Sequence, residues 1–252
     1  MKVRTYERVG MLDEIRGFAI VCMVVYHLMF DLSYFYGIKV PVFMDDWFGA
    51  VRDFFAGTFI FISGISCRYS KNNLKRGVQC FFLGMVMTFV TAFVTPEAPV
   101  YFGILHLLGV CMMIFGLCQD FADTIAPPYA MGASALLFWL TRGVSERYFG
   151  FAKGFSLKIP DEIYSAGLLF PFGFIKYGFA SVDFFPLLPW FFVFAAGAYV
   201  GVYVKENKFP SWFYKCHEPF FAFAGRHSLL IYLLHQPVLA LVLVIITGKT
   251  IF

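Results

Sequence analysis

The chain has 252 residues, of which 60% are hydrophobic, 21% aromatic and only 14% charged, with a formal net charge of +4 and a mean hydropathy of +0.73. Soluble domains carry about 25% charged residues, and here the deficit of charge runs along the whole length, which excludes a water-solvated globule beside a single anchor. The net positive charge needs no nucleic acid to account for it, because the Lys and Arg residues fall in particular loops.

Crossing the hydrocarbon as a helix takes about 20 apolar residues, and backbone groups in lipid must pair internally. Long apolar stretches, rather than ten-residue alternating ones, predict an all-α polytopic transmembrane bundle. Seven spans can be drawn, at roughly 12–35, 49–67, 76–94, 99–118, 126–141, 183–204 and 227–247. The N-terminus is basic like a signal peptide. Asp13, Glu14 and Arg16 interrupt it and no small-residue cleavage pattern follows, so it reads as an uncleaved first span.

Orientation follows from the short loops. Lys2, Arg4 and Arg8 precede span one. Arg68, Lys71, Lys75 and Arg76 separate spans two and three, and Lys205, Lys208, Lys215 and Arg226 separate spans six and seven. With seven crossings all three groups share one side, giving N-in and C-out. The opposite loops hold Asp45, Asp46 and Glu97 with only Lys39. Residues 142–182 begin with Arg142, Glu146, Arg147, Lys153 and Lys158 and are then broken by Gly167, Pro171, Gly173 and Gly178. They read as a re-entrant or interfacial element on the outer side, with an eighth span as the alternative. One integral membrane domain fills 1–252, and a homodimer is compatible with it. Cys22, Cys67, Cys80, Cys111, Cys118 and Cys216 have no close spacing, so free buried thiols and no metal site are expected.

Span one carries the informative run. At about 100° per residue, His27 lies eleven positions and roughly 20° around from Arg16. Asp13 and Asp31 are five full turns apart, and Asp31 is at the i,i+4 spacing from His27. The four ionisable groups form one stripe, which must face protein or a water-filled cavity because a charge in lipid is costly. Arg16 is near the cytoplasmic end, and His27 is about 16 Å further across. That suits a ligand with its anionic end at Arg16 and its reactive end at His27. Asp31 would accept from one His27 nitrogen and leave the other as a base. The structural alternative is an Asp13–Arg16 pair that sets topology, with His27 as a packed residue.

Arg16 and His27, with ten residues between them, resemble the arginine-to-histidine motif of the membrane-bound acyltransferase-3 families. The run from Asp13 to Leu32 resembles the catalytic domain of heparan-α-glucosaminide N-acetyltransferase and its bacterial relatives. Matching pieces follow in order: Phe59 to Gly64, Tyr101 to Gly109, Phe185 to Trp190, and Gly225 to Pro237. The resemblance implies transfer of an acyl group, with acetyl the expected one, from cytoplasmic acetyl-CoA to a glycan or amino-sugar acceptor at the other face of a bacterial cytoplasmic membrane. It makes His27 the catalytic base or a transient acyl carrier, with Arg16 in the same motif.

The remaining candidates each have a structural alternative. His106 reads as a second cavity-lining base or a donor to the thioester, or as a core histidine. Pro237 should kink span seven and free the carbonyl of Leu233. His235 or Gln236 could satisfy that carbonyl, or His235 could line the acyl channel opposite His27. Arg226, Arg68 and Arg76 suit the phosphates of coenzyme A, or anchor topology. Asp183 and Trp190 could hold a sugar, or belong to an interfacial belt. A transporter using the Asp13/Arg16/His27/Asp31 stripe as a relay is the rival function, and a non-catalytic scaffold is a third. Ternary-complex and acyl-histidine routes are both compatible with the sequence.

Overall fold

The computed structural model describes residues 8–41, 46–151 and 155–248. Lys2, Arg4, Asp45 and Lys153 of the charge pattern lie outside the described residues. Helices dominate: α1 (Gly10–Tyr34), α2 (Asp46–Cys67), α3 (Asn73–Val94), α4 (Ile104–Ala122) and α5 (Pro127–Thr141) come first. A hairpin of β1 (Tyr148–Phe151) and β2 (Phe155–Lys158) follows, then α6 (Asp161–Ser165), α7 (Leu187–Lys205), α8 (Ser211–Tyr214), α9 (Pro219–Arg226) and α10 (Ser228–Thr247).

The protein is an all-α polytopic membrane protein. Among the described residues six helices, α1 to α4 (α2 from Trp47), α7 and α10, are long and apolar enough to cross a bilayer. The fifth expected span forms as α5 but has only 15 residues, about 22 Å against a hydrocarbon thickness of about 30 Å. Between 142 and 182 the longest helix among the described residues is the five-residue α6, so this stretch holds no eighth span.

The backbone divides into two compact units, one of residues 1–62 with 207–252 and one of 63–206. In the first, α9 packs along α1 with almost no side chain between them. A Cβ on Gly17 would strike the carbonyl oxygen of Phe221, one on Gly225 that of Asp13, and one on Gly10 that of Lys215. Glu14, 7% exposed, fixes the entry to α9: its carboxylate accepts the His217 backbone N–H. Because Gly225 lies at Asp13 while residues 235 and 236 lie at residues 27 and 31, α1 and α10 run parallel.

In the second unit α3 and α4 also approach through glycine, Gly77 against the Gly109 carbonyl and Gly109 against Phe81. Asn72 caps α3 by accepting the Lys75 N–H at 2.8 Å. The stretches around 99–102 and 181–185 bond edge to edge, through Val182 N–H to Pro99 O (3.2 Å) and Phe185 N–H to Phe102 O (2.9 Å).

Candidate functional site

Within the first unit, α1 supplies His27 and Asp31 and α10 supplies His235 and Gln236. Asp31 is 2% exposed and His235 8%, while His27 is half-buried. The Gln236 amide nitrogen lies 3.3 Å from His27 Nδ1 and 3.4 Å from Asp31 Oδ1. The rings of His27 and His235 are 4.8 Å apart and inclined at 56°. The direct Asp31-to-His27 bond expected from the i,i+4 spacing is replaced by this bridge: the two side chains share a face, and the amide of a neighbouring helix comes between them.

The bridge has a chemical consequence. An amide nitrogen only donates, so His27 Nδ1 accepts, and in the neutral ring the proton sits on Nε2. His235 has the opposite arrangement. Its Nδ1 is 2.6 Å from the Tyr232 carbonyl, an acceptor, so Nδ1 carries the proton and Nε2 is bare. That Nε2 is buried with no hydrogen-bond partner. One ring offers an N–H and its neighbour a lone pair. The expectation that His27 keeps a free basic nitrogen changes accordingly: the bare, unpartnered nitrogen is on His235. Pro237 lies inside α10, which continues as a single helix, and the carbonyl taken up by His235 is that of Tyr232 rather than Leu233.

Arg16 pairs with Asp13 at 3.1 Å, one helical turn apart. The α1–α9 contact at Gly17 and Gly225 brings Arg226, exposed at the end of α9, to the same end of the unit as Arg16. Arg52 on α2 was not singled out by sequence. It pairs with Asp53 at 2.7 Å and hydrogen-bonds the Tyr26 side chain next to His27. The available signal was a pair of adjacent opposite charges, Arg52 and Asp53, inside an otherwise apolar span.

The other candidates belong to the second unit and serve its packing. Arg68 is 7% exposed, donates to the Ala198 carbonyl at 2.7 Å, pairs with Asp123 and lies 4.8 Å over the Phe115 ring. Arg76 is exposed in the first turn of α3. His106, 3% exposed, has Nε2 3.3 Å from the Thr88 hydroxyl and its ring against Phe81 and Phe102. Asp183 accepts the Ile104 N–H at 3.2 Å and so caps α4. Trp190 packs edge-on against Phe138 and Phe185. Among the described residues no group of three or more His, Cys, Asp or Glu side chains could hold a metal ion.

Residues 8–237 match the family described as heparan-alpha-glucosaminide N-acetyltransferase, catalytic, and the chain belongs to that family. No curated protein and no solved structure matches it.

Proposed function

From the premise that the chain is a member of this acetyltransferase family, we propose that it moves an acetyl group from cytoplasmic acetyl-CoA to an amino sugar or other glycan at the opposite face of a bacterial cytoplasmic membrane. The observation that carries the reading is the pairing of His27 and His235 in opposite tautomers, locked by Gln236 and the Tyr232 carbonyl. His27 polarises the thioester carbonyl with its Nε2–H. The acceptor nitrogen attacks the carbonyl carbon, the C–N bond forms and the C–S bond breaks. The proton lost by the amine is held by His235 and passes to the departing thiolate. Asp31 acts through Gln236, as a positioning residue. Arg16 and Arg226 hold the coenzyme's phosphates, with the N-terminus on the cytoplasmic side.

The test is transfer of radiolabelled acetyl from acetyl-CoA to glucosamine by the purified protein. His27→Ala should lower the rate about 100- to 10,000-fold, the usual worth of a positioned acid or base. Undiminished transfer by that variant would remove His27 from the reaction. Solute flux in vesicles without any thioester would favour the relay reading. Label on the protein in the absence of acceptor would assign an acyl-enzyme route.

A further inference from the structure

The β1–β2 hairpin presents an apolar face that the protein itself leaves uncovered. Its antiparallel register pairs Phe149 with Leu157 and Phe151 with Phe155. Side chains alternate across a strand, so these four large apolar groups share one face. They are 38%, 74%, 45% and 88% exposed, respectively. The other face carries Tyr148 paired with Lys158 and Gly150 paired with Ser156. Its β1 half turns back on the protein: Gly150 is buried, and the Tyr148 ring lies so close over Gly143 that a Cβ there would overlap it, while Ser156 and Lys158 of β2 stay exposed.

The hairpin's root identifies what covers the exposed face. The N–H groups of Glu146 (2.9 Å) and Tyr148 (3.0 Å) both bond the carbonyl of Gly143, two residues beyond the end of apolar α5. That helix end carries Trp139, 49% exposed, with the Arg142 guanidinium 5.1 Å over its ring. An indole beside a basic residue at the end of an apolar helix is the composition of the membrane interface. The hairpin is therefore tied, through one carbonyl, to the level at which headgroups meet acyl chains.

Depth follows from hydrogen bonding. The sheet has only two strands, so apart from the Tyr148 N–H held by Gly143 their outer edges have no third strand to pair with, and each unpaired N–H or C=O in hydrocarbon costs several kcal/mol. Strands of four residues are also about 13 Å long, too short to cross. We infer that the hairpin lies flat on the bilayer surface, with Phe149, Phe151, Phe155 and Leu157 facing the upper acyl chains and both strand edges in headgroup water. The ionic groups fit this orientation. Lys158, on the opposite face and 76% exposed, pairs at 3.3 Å with Asp161, which also pairs with Arg147. The hairpin is an interfacial element and not a re-entrant one.

The experiment uses the full chain in phospholipid vesicles. Leu157→Cys, with the exposed Cys118 and Cys216 replaced by Ser, is labelled with an environment-sensitive fluorophore. Phe155→Cys labelled in the same way serves as the second site. The expected result at both is blue-shifted emission, quenched more by lipids brominated near the headgroup than by lipids brominated near the methyl end. Stronger quenching by the deep bromines would make the element re-entrant and overturn the inference. Quenching by aqueous iodide would place the face in water. Protection from both quenchers would mean that protein, such as a second copy, covers it. Either of these results would also overturn it.

Discussion

The amide nitrogen of Gln236 lies 3.3 Å from Nδ1 of His27, and this contact decides which of the two His27 nitrogens carries the proton. Replacing the donor changes the ring's chemistry without removing the ring. Gln236→Leu should slow acetyl transfer roughly ten- to hundredfold, the rate equivalent of a lost buried hydrogen bond. Gln236→Glu, which puts an acceptor against Nδ1, should be worse. The measurement is kcat with acetyl-CoA and glucosamine, alongside melting in detergent to show that both variants fold. Wild-type kcat in Gln236→Leu would dismiss the bridge as incidental.

Gly17 and Gly225 let the backbones of α1 and α9 meet. A methyl group at either position has nowhere to go, and overpacking costs about 1–3 kcal/mol. Gly17→Ala and Gly225→Ala should therefore lower the melting temperature. Gly49, with nothing within 4 Å of an added Cβ, is the control, and Gly49→Ala should be neutral or slightly stabilising. Equal melting of all three would mean that the close approach contributes nothing.

Parallel α1 and α10 require an odd number of crossings between them, and α2, α3, α4 and α7 supply an even number. Among the described residues the 15-residue α5 is the next longest apolar helix, and local thinning of the bilayer can accommodate it. The prediction is a C-terminal end opposite the N-terminal one. Fusion of a reporter active only outside the cytoplasm should give signal when placed after Gly248 and none when placed after Asp123. A reversed pattern at Gly248 would take α5 out of the membrane.

Outside the spans, Arg147 lies 4.6 Å from the Tyr164 ring centroid and 3.8 Å from that of Tyr177, and it donates to Asp161. The hydrogen bond from Arg147 holds the Asp161 carboxyl below the usual carboxylate range, aided by Lys158. A depressed folded-state value stabilises the loop above the ordinary carboxylate pKa of about 3.9. That contribution fades as pH falls from there through the folded-state value. Limited digestion of the 142–182 region by an acid-active protease should accelerate across that window. Asp161→Asn should digest faster at neutral pH and lose this part of the pH dependence. An unchanged profile in Asp161→Asn would assign the acid sensitivity to another group.

The spans were legible because apolar length is a strong signal: 227–247 was expected and α10 is Ser228–Thr247. The basic run at 68–76 was legible as the break between two spans, although Lys75 and Arg76 already belong to the first turns of α3. Its first member was not legible as a buried clamp, because the partner Asp123 is 55 residues away and belongs to a different helix end. The angle shared by His27 and Asp31 could be read from helical periodicity. Periodicity describes one helix, however, and the group that joins the two comes from another. The hairpin stayed hidden for a related reason. Four-residue strands carry little period of their own, and the exposed phenylalanines read as more membrane surface.

Gln236 and His27 are 209 residues apart in the chain. Ribosomes add about 5–20 residues per second, so α1 waits in the bilayer for roughly ten to forty seconds before α10 exists. During that interval Asp31 and His27 have no amide bridge, and the ionisable stripe of α1 must be sheltered by other means. Completion of the site thus waits for α10, and a chain interrupted anywhere before α10 carries half of the constellation and no tautomer lock.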